Sequence, residues 1–381
     1  MAIGRDHVLA FRFANHGLDG RTKGLVEAAA RCGIQETPLG TAALAFHARV
    51  DGFSTEKLEK ALSQDRSLLA LWSLRGAPHV VPAANLDVFT TGALPRDGES
   101  LRQTLGGWAR ALDTAGLDPF QLIDRLVDAA KKLLDGRTMD VNELRDRLYA
   151  RVRSLHNIER PDSARDDMPE PLFRAIGTKA AVCIVSGRGT DSVMARIDQW
   201  LKPLPKPVDR DTSRAELARR FMHCYGPATA KHFAEWTQRS LADAKQALGL
   251  IDGELTEVRM ADKKTLLLAG DEQALDSPPE AEGVRLLPVQ DPYLQQRDRS
   301  TLVPDQTARR RLWQAVRGPG ALLLDGAVTG TWRSRVKGDR WEIELEPFGR
   351  LSATVRDAIS DEAEVMAPFK DCSSAVVEVS G

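Results

Sequence analysis

The stretch TSRAELARRFMHCYG (212–226), PATAKHFAEWTQRSLADAKQALG (227–249) and IDGELTEVRMADKKTLLLA (251–269) decides how this chain is read. Ser213 can cap a helix that carries Leu217, Phe221 and Cys224 on one face, at a spacing near 3.6. Gly226-Pro227 stops it. A short helix follows, with Ala230, Phe233, Ala234 and Trp236 as its apolar positions. Gln238-Arg239 turns the chain, Ser240 caps a third helix through Leu241, Ala244 and Leu248, and Gly249 ends it. Two β-like runs, 254–260 and 265–269, flank the polar tip Ala261-Asp262-Lys263-Lys264. Three short helices followed by a hairpin is the order of a winged helix, whose third helix is shaped for a DNA major groove. The same order serves protein contacts in other settings. Arg239, Lys245, Lys263 and Lys264 stand where phosphate contacts would be useful; solvated surface charge is the alternative for each.

Outward from this stretch the same rhythm returns. Helices are expected at 4–16, 22–32, 41–50 and 55–63, followed by short strands at 67–74 and 79–81 around Arg75-Gly76-Ala77-Pro78, and a helix from Pro82 to Phe89. A partly helical connector (95–116) leads to helices at 119–134 and 140–153 and a charged, proline-bearing loop at 154–170. A helix near 171–177 precedes strands at 180–185 and 193–197. Helices-then-hairpin thus occurs near 1–95, 117–200 and 212–269, a repeat of architecture without obvious sequence identity. The expected division is 1–95, 96–205, 206–270 and a β-rich 271–381, an α+β chain.

In the last segment, 321–332 and 340–346 read as paired strands around the hairpin turn Lys337-Gly338-Asp339. Trp341, Ile343 and Leu345 alternate with Glu342, Glu344 and Glu346, the pattern of a half-buried strand. Arg333, Arg335, Lys337 and Arg340 crowd the tip, which either probes a DNA groove or protects a solvated edge. A helix at 351–366 and a closing strand at 375–379 complete it.

At 381 residues the chain is too long for one ordinary core. Its net charge of −1 excludes a protein coated in basic surface. The charge is uneven, however: 295–340 holds ten Lys/Arg against four Asp/Glu, and 250–285 holds four against nine. Such asymmetry is compatible with one basic groove. No apolar run reaches the length of a membrane span, and MAIGRDHVLAFRF has no signal-peptide pattern, so a cytoplasmic, nucleoid-associated protein is expected. Cys32, Cys183, Cys224 and Cys372 are far apart, no Cys/His spacing resembles a zinc site, and buried free thiols are expected. There is neither a phosphate-binding loop nor a dinucleotide fingerprint.

Five stretches, CGIQETPLGTAALAFHAR (32–49), LWSLRGAPHVVPAANL (71–86), CYGPATAKHFAEWTQRSLADAKQAL (224–248), LLPVQDPYLQQRDR (286–299) and VTGTWR (328–333), occur in the order found in one family. The chain resembles the winged-helix DNA-binding family that contains the AlkZ and YcaQ DNA glycosylases. The resemblance implies tandem winged helices in a C shape around a concave, positive channel for double-stranded DNA. It further implies a monomer that hydrolyses the N-glycosidic bond of alkylated purines without a metal or redox cofactor.

The family's catalytic motif is Gln-x-Gln, or Gln-x-Asp in the YcaQ branch, and falls here on Gln35, Glu36 and Thr37. An N7-alkylated purine is cationic and already a good leaving group, so the enzyme must hold a water near the anomeric carbon and stabilise the sugar cation. A glutamine carbonyl can orient that water. A carboxylate would add charge stabilisation or base help, whereas Thr37 cannot act as a base at neutral pH. Glu36 is one position early and projects in another direction. The alternative is a loop whose polar side chains cap the helix near Thr41. For His47, Trp72, Arg75, Asp291 and Tyr293, packing, hydrogen bonding and turn formation are the expected roles, with the pairs Trp72/Arg75 and Asp291/Tyr293 bordering the channel as the alternative. A non-catalytic DNA binder and a protein-interaction module remain competing readings.

Overall fold

A computed structural model describes residues 2–22, 24–152, 155–156, 158–159, 161, 168–187, 189–260, 263–314, 316 and 318–380. Most of the loop expected at 154–170 and the tip residues Ala261-Asp262 lie outside these. The chain divides into two compact units that interleave in sequence. One comprises Met1–Glu59, Arg220–His232 and Gly253–Gly381; the other comprises Lys60–Arg219 and Phe233–Asp252. The expected limits at 95, 205 and 270 are therefore not the limits of these units. Helices and sheets mix in both. No helix among the described residues is long and apolar enough to cross a membrane.

The unit comprising Lys60–Arg219 and Phe233–Asp252 pairs strands in the order Pro78–Pro82, Leu68–Trp72, Val182–Ser186, Val193–Arg196, Met139–Asp140. The two hairpins expected from the sequence are thus joined, through Ala70 opposite Ile184. Helices Pro119–Leu133, Val141–Arg151 and Glu170–Thr178 supply Leu126, Leu144, Leu148, Phe173 and Ile176 to its core, against Trp72 and Met194. Trp72 packs on Phe173 at a ring separation of 5.0 Å, and Arg75 donates to the Trp236 carbonyl at 2.7 Å, so both hold the fold.

Polar burial corrects several expectations here. Helix Arg210–Tyr225 starts before Ser213; Asp209 accepts from the Thr212 amide at 3.0 Å, and Ser213 lies buried inside the helix. Ser240 does cap helix Leu241–Gly249, accepting from the Asp243 amide. Leu241, expected in the apolar face, is 45% exposed, whereas Asp243 is 1% exposed. Asp243 is buried because Arg214 donates to its carboxylate and Ser100 Oγ donates to it at 3.2 Å. A buried carboxylate needs such partners, and they override the 3.6-residue apolar pattern.

In the other unit, strands Val284–Leu287, Gly320–Leu324, Ala327–Lys337, Arg340–Pro347 and Ser374–Val379 form a sheet in sequence order, the last pair parallel. The run 321–332, expected as one strand, is two. Asp325 (φ 49°) and Gly326 (φ 76°) turn the chain between them, the Asp-Gly signature of a two-residue hairpin. Trp341, Ile343 and Leu345 are buried as their alternation predicts, beneath helix Ala353–Met366. A second hairpin, Leu255–Met260 with Lys263–Leu268, receives Ala2–Ile3 as a parallel third strand.

Candidate functional site

Gln35 follows helix Leu25–Cys32, which ends at Gly33 with φ 72°. That backbone region suits glycine, and it redirects the chain into extended residues Ile34–Gln35. The Gln35 side chain is buried, and its Oε1 accepts from Gln295 Nε2 at 3.0 Å. Gln295 Nε2 also donates to the Gln290 backbone carbonyl at 2.9 Å. A carbonyl only accepts, so this contact sets the orientation of the Gln295 amide, which in turn sets Gln35 with its oxygen toward Gln295. An amide oxygen accepts two hydrogen bonds, so this contact is compatible with orienting a water.

Glu36 is committed elsewhere. Its two oxygens accept from the amides of Gly40 (2.8 Å) and Ala42 (2.6 Å) at the start of helix Thr41–His47. That is a helix cap, and it leaves the carboxylate occupied by backbone amides rather than placed as a base. Thr37 is exposed. Thr41 Oγ1 donates to the Pro38 carbonyl at 2.7 Å and completes the cap. His47 is buried against Phe369 and pairs with Glu362 at 3.2 Å, with Arg21 3.3 Å from the same ring nitrogen. Burial opposes ionisation of Glu362, but the His47 hydrogen bond and the neighbouring positive charges outweigh it, so its carboxyl lies below the usual range.

The loop that carries Gln295 is fastened from beneath. Asp291 accepts from the Tyr293 amide at 2.9 Å, and its carboxylate pairs with both terminal nitrogens of Arg49 at 2.7 and 2.8 Å. Both side chains are buried. Arg12, fully buried, donates to Gln296 at 2.7 Å and to Asp298 at 2.8 Å. Asp291 and Tyr293 therefore keep the structural roles expected for them. Gln295 was not singled out in the sequence; the only signal was its place in LLPVQDPYLQQRDR, two residues after Tyr293.

Of the expected phosphate-binding residues, Arg239 is misplaced. It is buried, donates to the Gly92 carbonyl and lies 3.9 Å from Asp243, and burial draws its pKa down to about 10. Lys245 and Lys263 are exposed, and Lys264, also exposed, pairs with Glu257 at 3.0 Å. On the C-terminal hairpin, Arg335 (2.7 Å), Arg340 (3.5 Å) and Lys337 (3.9 Å) share Glu342, and Arg333 donates to Gln314 at 2.7 Å. Arg333 stands opposite Glu344 and Arg335 opposite Glu342 in the strand register. Each of these four cations thus has a polar partner on the protein.

The family described as DNA glycosylase AlkZ-like matches residues 28–369. This chain belongs to the AlkZ-like DNA glycosylase family. The match spans Gln35, Gln295 and the C-terminal hairpin, and places the chain among DNA-binding hydrolases of DNA repair. A relative described as an interstrand DNA cross-link repair glycosylase, from Streptomyces sahachiroi, is 25% identical over 358 residues, covering 91% of each chain. The solved structure of Streptomyces sahachiroi DNA glycosylase AlkZ superposes with a TM-score of 0.78 at 22% identity, covering all of both chains. The latter likeness is one of fold.

Proposed function

We propose that this AlkZ-like chain binds duplex DNA and hydrolyses the N-glycosidic bond of alkylated purines, with Gln35 as the residue that holds the water. The observation that carries this reading is the Gln290–Gln295–Gln35 chain of hydrogen bonds, which holds the motif glutamine by its oxygen. In the reaction the C1′–N9 bond breaks toward the cationic base. Water oxygen then bonds to C1′, and its proton leaves to solvent. Because the alkylated base departs readily, positioning supplies much of what is needed and a strong base is dispensable. This suits a motif in which Thr37 replaces the second polar residue and Glu36 is used as a cap. The tandem winged helices, the concave channel and a monomeric state belong to the same reading.

Gln295 is then a positioning residue. Gln295→Leu is expected to slow single-turnover release of N7-alkylguanine by about tenfold to a hundredfold. Duplex affinity and thermal midpoint should stay near wild type. A matching loss of affinity would assign Gln295 to shaping the loop alone.

The hairpin cations are read as phosphate ligands. Their exposed pairs with Glu342 and Gln314 are weak enough to exchange for phosphate. Replacing Arg333 and Arg335 with alanine should flatten the dependence of log affinity on log salt, by about 0.9 for each phosphate that is no longer neutralised. An unchanged slope would move the hairpin off the DNA.

A second reading is a duplex-DNA binder without chemistry. It is favoured by the use of Glu36, the motif's one carboxylate, as a helix cap. Tight, salt-sensitive duplex binding with no base release would establish it.

A further inference from the structure

Three metal-ligating side chains from separate elements converge close to the start of the Gln35 loop. His16 follows helix Arg5–Asn15, Cys32 ends helix Leu25–Cys32, and Cys224 lies in the last turn of helix Arg210–Tyr225. A ring nitrogen of His16 and the two Sγ atoms lie within 4.8 Å of one another, and all three residues are buried. His16 Nδ1 sits 2.8 Å from the Arg12 carbonyl, so Nδ1 carries the proton and Nε2 presents its lone pair. Nε2 is buried and has no hydrogen-bond partner among the described residues. Native interiors rarely tolerate such an acceptor unless something occupies it. A histidine whose second nitrogen is anchored to a carbonyl is how metal-ligating imidazoles are oriented.

The two thiols hydrogen-bond to each other, and Cys32 also to Tyr225. Cys32 Sγ is 3.9 Å from the Arg220 carbonyl and Cys224 Sγ is 3.7 Å from that of Asn15. The ring of Tyr225 packs edge-on to His16 at 4.9 Å, and its hydroxyl donates to the Pro292 carbonyl at 2.8 Å. The protein donor set is therefore one nitrogen and two sulfurs.

We propose that His16, Cys32 and Cys224 form a binding site for a thiophilic d10 cation, Zn2+ or Cu+. Soft thiolate donors with one imidazole select these ions over hard ones. Zn2+ with two thiolates is electrically neutral but takes a fourth ligand, which would be a water here; Cu+ is content with these three. Binding releases the thiol protons to solvent, as required of any thiolate site. The bound ion would join the ends of three helices three residues before Gln35. The proposal stands whether or not the chain releases bases.

The test uses the full chain, purified under reducing conditions without chelator from cells grown with added zinc or, separately, added copper. Elemental analysis should find stoichiometric Zn in the first preparation or Cu in the second, which distinguishes the two ions. Cys32→Ser and Cys224→Ser should lose the metal, while Cys183→Ser and Cys372→Ser should keep it. X-ray absorption on the wild-type protein should show sulfur and nitrogen bonded to the metal, a reading that does not depend on any variant folding. Metal-free wild-type protein from both media would overturn the proposal. So would a metal without sulfur ligands, or metal retained by the Cys32→Ser/Cys224→Ser double variant. A Cys32–Cys224 disulfide in the isolated protein would also overturn it, assigning the pair to redox chemistry instead.

Discussion

Replacing Gln35 with alanine is expected to reduce release of N7-alkylguanine from duplex DNA by about a hundredfold or more, with duplex affinity nearly unchanged. The size follows from how few groups remain once Gln35 is gone. Glu36 is held by the amides of Gly40 and Ala42, and Thr37 cannot take a proton at neutral pH. Thr37 can hydrogen-bond a water but adds no base, so the positioning is expected to rest on Gln35. Removing the amide leaves Gln295 short of one acceptor, a small cost to the fold beside the loss of rate. Base release and duplex binding by wild type and variant, measured in parallel, check this. Equal loss of both would make Gln35 a residue of the fold or groove. Wild-type rates retained by the variant would remove it from the chemistry.

Asp291→Ala is expected to be among the most destabilising single changes, by about 3–5 kcal/mol. The reason is what it leaves behind. Arg49 is 1% exposed, and besides Asp291 it donates to the Ala45 carbonyl at 2.9 Å. Without its carboxylate the guanidinium is a buried, uncompensated charge, and the Tyr293 amide loses its acceptor. Denaturant midpoints of wild type and variant measure the cost. A double change, Arg49→Met with Asp291→Ala, should recover part of it, because the stranded charge is then gone. A loss within about 0.5 kcal/mol, the range of ordinary surface substitutions, would mean that solvent reaches Arg49. Since Asp291 lies four residues before Gln295, the destabilised chain should also release bases more slowly.

Local order was legible because it is written in local spacing. The helices at Arg5–Asn15, Thr55–Ser63 and Pro119–Leu133, and the alternation Trp341, Ile343, Leu345, are patterns of neighbouring residues. The motif order from Cys32 to Arg333 was enough to name the family. Asp325-Gly326 was also available as a turn signal, but the apolar residues on either side made one strand of two.

By itself the sequence determined the mixture of helices and hairpins and the family, and it singled out Gln35 as the candidate for the chemistry. Only the tertiary structure decided which polar groups are inside and what each one faces. It placed Arg239 against Gly92, Asp243 against Arg214, Gln295 against Gln35, and His16 beside Cys32 and Cys224. The physical reason is the same in each case. A buried polar side chain must find a partner, that partner can lie hundreds of residues away, and no periodicity in one stretch records where it is.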